Sequence, residues 1–241
     1  MALTHGIDIS QFQQKIDWEK VKDSGKVEFV YARATEGLGF IDGSYRSFHD
    51  GAKLVGIPFG AYHFFSFRDT GISQAYDFLT TINGYQGQLL PMVDIEQISL
   101  HGLDISLKHI SDFLITVQRV LKIPFCMIYT GLAFWNAPRP DGAGGYDGFS
   151  GHPLWIAEYN SDPQPTLPRG WKKWTMWQYT DLLVVPGITT NNGLPEHVDG
   201  DVLNGDISLI LRPGMTLVKP IVAPKPIISF PPPVVLPPTM T

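Results

Sequence analysis

Two acidic residues, Asp94 and Glu96, end an otherwise apolar run, LLPMVDIE at 89–96. A carboxylate in a hydrophobic segment is costly unless a partner or a reaction uses it. In a strand, residues i and i+2 share a face and lie about 6.6 Å apart along the chain. Asp94 and Glu96 therefore point the same way. Neighbouring carboxyls raise each other's pKa, and partial burial raises it further. One of the pair can then hold a proton near neutrality, as a general acid must. Acid pairs with split pKa values suit cleavage of a glycosidic bond. A structural pair bonded to backbone, or a divalent-cation site, would draw on the same oxygens.

Further acids recur in comparable settings. Asp8 lies in GIDIS, Glu36 follows YARAT, and Asp199 and Asp201 lie in HVDGDVL. Placed at strand ends without matching Lys or Arg, they predict a negatively charged pocket, with Arg33 as a candidate partner. The DGD at 199–201 lacks the dense ligand spacing of a dedicated calcium loop, so no metal and no cofactor is expected. His63, in AYHFF, is a candidate base or ligand. Tyr62, Tyr129, Trp155, Tyr159, Trp177 and Tyr179 fall near expected strand ends, where rings can face a cleft and stack on sugars.

The elements that must position these residues read as an alternation. Apolar, β-rich runs at 5–10, 27–34, 57–65, 89–96 and 123–130 predict strands. Amphipathic stretches at 18–25, 44–56, 73–84 and 106–122 predict helices. The last carries Ile110, Phe113, Leu114, Val117 and Leu121 on one stripe. Strand–helix repeats at this spacing imply right-handed crossovers and parallel strands. After residue 130 the pattern changes to a Gly/Pro loop at 138–153. PLWIAEYN, WTMWQYTD and HVDGDVL then read as three more strands without helices between them. The predicted fold is a modified TIM-type α/β barrel, (βα)5β3, whose active site lies at the C-terminal ends of the strands.

Composition bounds the function. The chain has 241 residues and a net charge of −5, which argues against nucleic acid as the main ligand. No window approaches a membrane span. The single cysteine, Cys126, allows no intrachain disulfide and reads as packing. The N-terminus lacks a basic region followed by an apolar run, so no secretory signal is expected. The barrel is expected over 1–212. Residues 213–241 hold nine of the 20 prolines and read as an extended tail or linker.

GIDIS, YARATEG, GAYHF, the DIE at 94–96, PLWIAEY, WQYT, VPGI and VDGDVLNGD occur in this order between about residues 5 and 210. Together they resemble the lysozymes of glycoside hydrolase family 25, muramidases of bacteria and their phages. The resemblance implies a (βα)5β3 barrel that cleaves the β-1,4 bond between N-acetylmuramic acid and N-acetylglucosamine. It makes Glu96 the general acid and Asp94 the group that stabilises charge or orients the acetamido group. Asp8 and Asp199 are expected to line the cleft, with Asp199 preferred over its neighbour Asp201. Glu36, Tyr62, His63, Tyr129, Trp155, Tyr159, Gln178, Tyr179 and Asp201 form the expected substrate-binding set. The expected partner is peptidoglycan, with a virion or assembly contact through the tail. The expected setting is a host cytoplasm followed by release to the wall through a pore, a virion, or a non-classical secretion route. The alternatives are a catalytically inactive glycan-binding barrel and a virion-associated structural lysin.

Overall fold

The computed structural model describes residues 3–97, 103–137 and 147–217. The first half runs β1 (Thr4–Ile9), β2 (Lys15–Ile16), α1 (Trp18–Asp23), β3 (Phe29–Glu36), β4 (Phe40–Ile41), α2 (Tyr45–Val55), β5 (Phe59–Phe64) and α3 (Gly71–Ile82). The second half runs β6 (Met92–Asp94), α4 (Leu103–Leu121), β7 (Met127–Gly131), α5 (Leu132–Asn136), β8 (Leu154–Ala157), β9 (Met176–Thr189) and β10 (Pro195–Leu203).

Eight strands close a barrel in the order β1, β3, β5, β6, β7, β8, β9, β10 and back to β1. Pairing is parallel from β1 through β9, whereas β10 is antiparallel to both β9 and β1. This is the expected (βα)5β3 barrel, with three refinements. The strand expected at 89–96 pairs only over Met92–Asp94, which puts Ile95 and Glu96 just past its end. A one-turn helix, α5, follows β7 where none was expected. The reversal of β10 brings its first half, not its C-terminal end, to the mouth.

Local chemistry explains the helix limits. Asp17 and Thr70 cap α1 and α3 by accepting from Lys20 and Ser73 backbone N–H groups, each at 3.2 Å. Gly56, at φ 70°, ends α2 in the left-handed conformation that glycine adopts without strain. On α4, Ile110, Phe113, Leu114 and Val117 are buried against the barrel, as the stripe predicts. Full burial of side chains of this size contributes about 1.5–3 kcal/mol each.

The barrel interior is filled rather than open. Tyr31 and Phe29 point inward from β3. A Cβ on Gly60 would lie 2.3 Å from the Tyr31 ring, and one on Gly6 would lie 2.2 Å from the Phe29 ring. Absence of a side chain at these two positions leaves room for the rings. Tyr31 packs edge-on against Trp155, with centroids 4.9 Å apart. These residues form the floor on which the upper layer stands. At the end of the described chain, Leu211 bridges Leu89 and Arg212 donates its N–H to Gln88. Nearly all of the proline-rich tail and most of the loop at 138–153 lie outside the described residues.

Candidate active site

The upper layer of the barrel is made by the inward residues nearest the mouth. Register pairs Asp8 of β1 with Asp199 of β10, Arg33 with Tyr62, and Asp94 with Tyr129. Side chains alternate across each strand, so these residues project into one cleft. The structure therefore brings Asp8, Asp94, Asp199, Tyr62 and Tyr129 together, with Glu96 beside them.

Asp94 and Glu96 sit in different environments. Asp94 is buried, and its Oδ1 accepts no hydrogen bond among the described residues. Burial lifts its pKa well above the usual carboxylate range, and the charges of Glu96 and Asp8 add to this while Arg33 opposes it. Glu96, two residues on, is exposed at the rim. Loss of surrounding water still raises its carboxyl pKa.

Asp8 and Asp199 form the opposite wall. Burial and the Asp199 charge raise Asp8, while Gln178 steadies its ionised form. Asp199 is pushed up to about 6 by burial, then by Asp181 and Glu96. Gln178 ties this wall to its neighbours. Its Nε2 donates to Asp8 Oδ2 at 2.7 Å. Its Oε1 accepts from the hydroxyls of Tyr129 at 2.9 Å and Tyr159 at 2.7 Å. Tyr159 is exposed at the rim, whereas Tyr62 and Tyr129 are largely buried beneath it.

The expectation of unpartnered acids holds only in part. A register shift in β3 between Arg33 and Thr35 inserts one extra residue, a β-bulge. The bulge lets Arg33 and Glu36, three residues apart, meet at the mouth. Arg33 Nη1 donates to Glu36 Oε2 at 3.0 Å, and Nε to Asp42 Oδ2 at 3.3 Å. The rings of Phe12 and Phe40 lie 5.4 and 5.3 Å from the guanidinium carbon. Asp42 also accepts from the backbone N–H groups of Gln11 and Ser44. The sequence reading missed Phe12 and Asp42; IDGS before α2 is a turn signal that could have drawn attention to Asp42.

Four expected binding residues lie elsewhere. His63 faces outward, between the barrel and the helices. Its Nδ1 accepts from Thr35 Oγ1 at 2.7 Å, its Nε2 donates to Gln74 Oε1 at 3.0 Å, and its ring stacks on Phe113. Burial lowers its pKa to about 4, so it is a neutral core histidine. Tyr179 also faces outward, because it follows the inward Gln178, and lines a separate surface hollow with His5, Lys26, Glu28 and Leu183. Trp155 is fully buried, with its ring between Tyr31 and Tyr129. Asp201 is fully buried one layer below Asp199, opposite Gly6. Trp155 and Asp201 therefore support the cleft from beneath rather than face it. Among the described residues, no group of three or more His, Cys, Asp or Glu side chains is placed to hold a metal ion.

The arrangement offers an exposed acid at the rim, a buried carboxyl with a free acceptor atom, and a second acidic wall across the cleft. Such a set can protonate a leaving oxygen and stabilise a cation forming beside it.

Comparison with known proteins agrees with this geometry. The profile described as Glycosyl hydrolases family 25 matches residues 7–188. The autolytic lysozyme of Clostridium acetobutylicum is 32% identical over 216 residues, covering 87% of this chain and 60% of that protein. Lysozyme M1 of Streptomyces globisporus is 30% identical over 217 residues, covering 86% and 69%. The crystal structure of the bacterial lysozyme from Streptomyces coelicolor superposes with a TM-score of 0.71 at 28% identity, covering 86% of this chain and 94% of that one. On the barrel, the acidic cleft and these matches, the chain belongs to glycosyl hydrolase family 25 and is a glycoside hydrolase of the lysozyme type.

Proposed function

We propose that this protein hydrolyses peptidoglycan at the β-1,4 bond between N-acetylmuramic acid and N-acetylglucosamine. The observation that carries the reading is the pairing of buried Asp94 with exposed Glu96 at the end of β6. Relatives named as lysozymes support the substrate class.

In this mechanism Glu96 gives its proton to the glycosidic oxygen as the bond to the anomeric carbon breaks. The carbonyl oxygen of the sugar's own 2-acetamido group forms the new bond to that carbon. Asp94 Oδ1, which accepts no hydrogen bond among the described residues, accepts from the acetamido N–H and so orients the acetamide. The Glu96 carboxylate then takes a proton from water, which reopens the ring intermediate at the same carbon. Asp8 and Asp199 hold the sugar from the other wall. Tyr62, Tyr159 and Glu36 line the approach.

Mass spectrometry of products from purified peptidoglycan tests the bond. Reducing-end muramic acid is expected, and reducing-end glucosamine would assign the cut to the other linkage. A glycosyl adduct trapped on Asp94 would replace the acetamide route by a covalent one. We further propose that the setting is wall lysis by a phage, a reading supported by the resemblance of the sequence motifs to phage and bacterial muramidases. Co-purification with phage particles would place the protein in the virion, and recovery only from the lysate would make it a released lysin.

A further inference from the structure

Asp201 is a charge-bearing residue type in a place where a charge is poorly served. It is fully buried, in the layer beneath the cleft. Its Oδ1 accepts from the Trp155 indole N–H at 3.0 Å. Its Oδ2 is buried and accepts from no donor among the described residues. None of the ion pairs among the described residues involves Asp201. The titratable groups that face it are Asp8 on β1, Asp199 on β10, Tyr31 on β3 and Tyr159 after β8, while Tyr179 on β9 feels its charge from the outer face. None of these brings a positive charge.

The register explains the contact with Asp8. β1 and β10 pair Gly6 with Asp201 and Asp8 with Asp199. Asp8 is the next inward residue on β1 after Gly6, so Asp201 and Asp8 occupy successive inward positions on paired strands. The two carboxyls are within hydrogen-bonding reach of each other. Two carboxylates in that position would repel; one proton between them turns the contact into a bond. Asp8 already accepts from Gln178 and keeps contact with the cleft, whereas Asp201 is cut off from water.

We infer that Asp201 is a neutral carboxylic acid whose O–H donates to the Asp8 carboxylate, making it a positioning residue that fixes Asp8 from below. Gln178 and Asp201 then hold Asp8 from two sides, and Trp155 fixes Asp201 in turn. The inference rests on the proposed muramidase reading for the role of Asp8. The protonation state of Asp201 stands apart from it.

The test uses Asp201→Asn and Asp201→Leu in the full chain. Asparagine is isosteric and still offers an N–H to Asp8 and an oxygen to Trp155. It is expected to keep kcat and both limbs of the pH–activity profile. Leucine removes the donor, so kcat should fall roughly 10–100-fold with KM little changed. Infrared difference spectra without substrate should show a protonated-carboxyl band at neutral pH in the wild type that is missing in Asp201→Asn. Absence of that band would overturn the inference, as would a shifted pH profile in Asp201→Asn or full kcat in Asp201→Leu. If the leucine variant does not fold, the band and the asparagine profile decide. A wild type that shows the band but cleaves no peptidoglycan would sink the muramidase reading and leave the assignment of the proton standing.

Discussion

Gln178 on β9 donates from Nε2 to Asp8 Oδ2 on β1 at 2.7 Å, joining residues 170 apart in sequence. Its Oε1 is fixed by two tyrosine hydroxyls, so the amide cannot turn over without breaking three bonds. Gln178→Glu keeps the shape but removes the donor and sets a second carboxyl against Asp8. A hydrogen bond to a charged group contributes about 1.5–3 kcal/mol, so kcat should fall roughly 10–100-fold near neutrality. Acidification should recover part of the loss as the new carboxyl takes up a proton. Steady-state kinetics across pH would measure both effects, and unchanged kcat would remove Gln178 from the account.

Asp199 sits at about 6 and is coupled to Glu96 and Asp8. Like charges raise each other's pKa, so removing one lowers the others. In Asp199→Asn the general acid should lose its proton at lower pH. The alkaline limb of kcat/KM is therefore expected to move down in pH, in addition to any loss of rate. A limb that stays in place or moves up would break the proposed coupling between Asp199 and Glu96.

His63 ties stability to pH. Its pKa is about 4 in the folded protein, against 6.5 for a free side chain. A base with a lowered folded pKa contributes stability that is full above 6.5 and is lost as pH falls through 4. Protonation should cost about 3 kcal/mol by the acid end of that window. The raised carboxyls act in the opposite sense, since their contribution is lost as pH rises through their folded values. Comparing urea unfolding of wild type and His63→Gln between pH 4 and 7 isolates the histidine. The variant is expected to start less stable and to lose less on acidification. Parallel curves would contradict the assignment.

Gly60→Ala tests the floor. The new Cβ would fall 2.3 Å from the Tyr31 ring, which packs on Trp155. Overpacking of this kind costs about 1–3 kcal/mol. Chemical denaturation should show that loss, together with a drop in activity as the layer carrying Asp201 shifts. An alanine variant as stable and active as wild type would mean the interior has slack that the geometry denies.

Much of this architecture was legible in sequence because β-rich runs and one long amphipathic stripe mark the early strands and α4. Period two predicts a shared face for Asp94 and Glu96, but β6 ends at Asp94, so the chain beyond the strand rather than its alternation carries Glu96. What sequence could not give was the sense of each face. In a barrel wrapped by helices both faces of a strand are buried, so alternation does not separate inward from outward. His63 was placed on the wrong side for that reason, while Tyr179 follows the inward Gln178 on β9 and lines a surface hollow. The bulge at β3 adds one residue without any composition signal, which hid the pairing of Arg33 with Glu36. Reversal of β10 put Asp199 at the mouth and Asp201 below it, an order that reading both as strand-end acids could not supply.

The central claim is that Glu96 donates the proton that breaks the glycosidic bond. Glu96→Gln keeps size and polarity but carries no acidic proton. Loss of turbidity of purified peptidoglycan, with reducing-end analysis of the products, should show muramic-acid ends released by the wild type. The variant should be slower by roughly 10²–10⁴-fold with the fold intact. Equal rates in the two proteins would show that the acid pair at the end of β6 is structural and that the chemistry lies elsewhere.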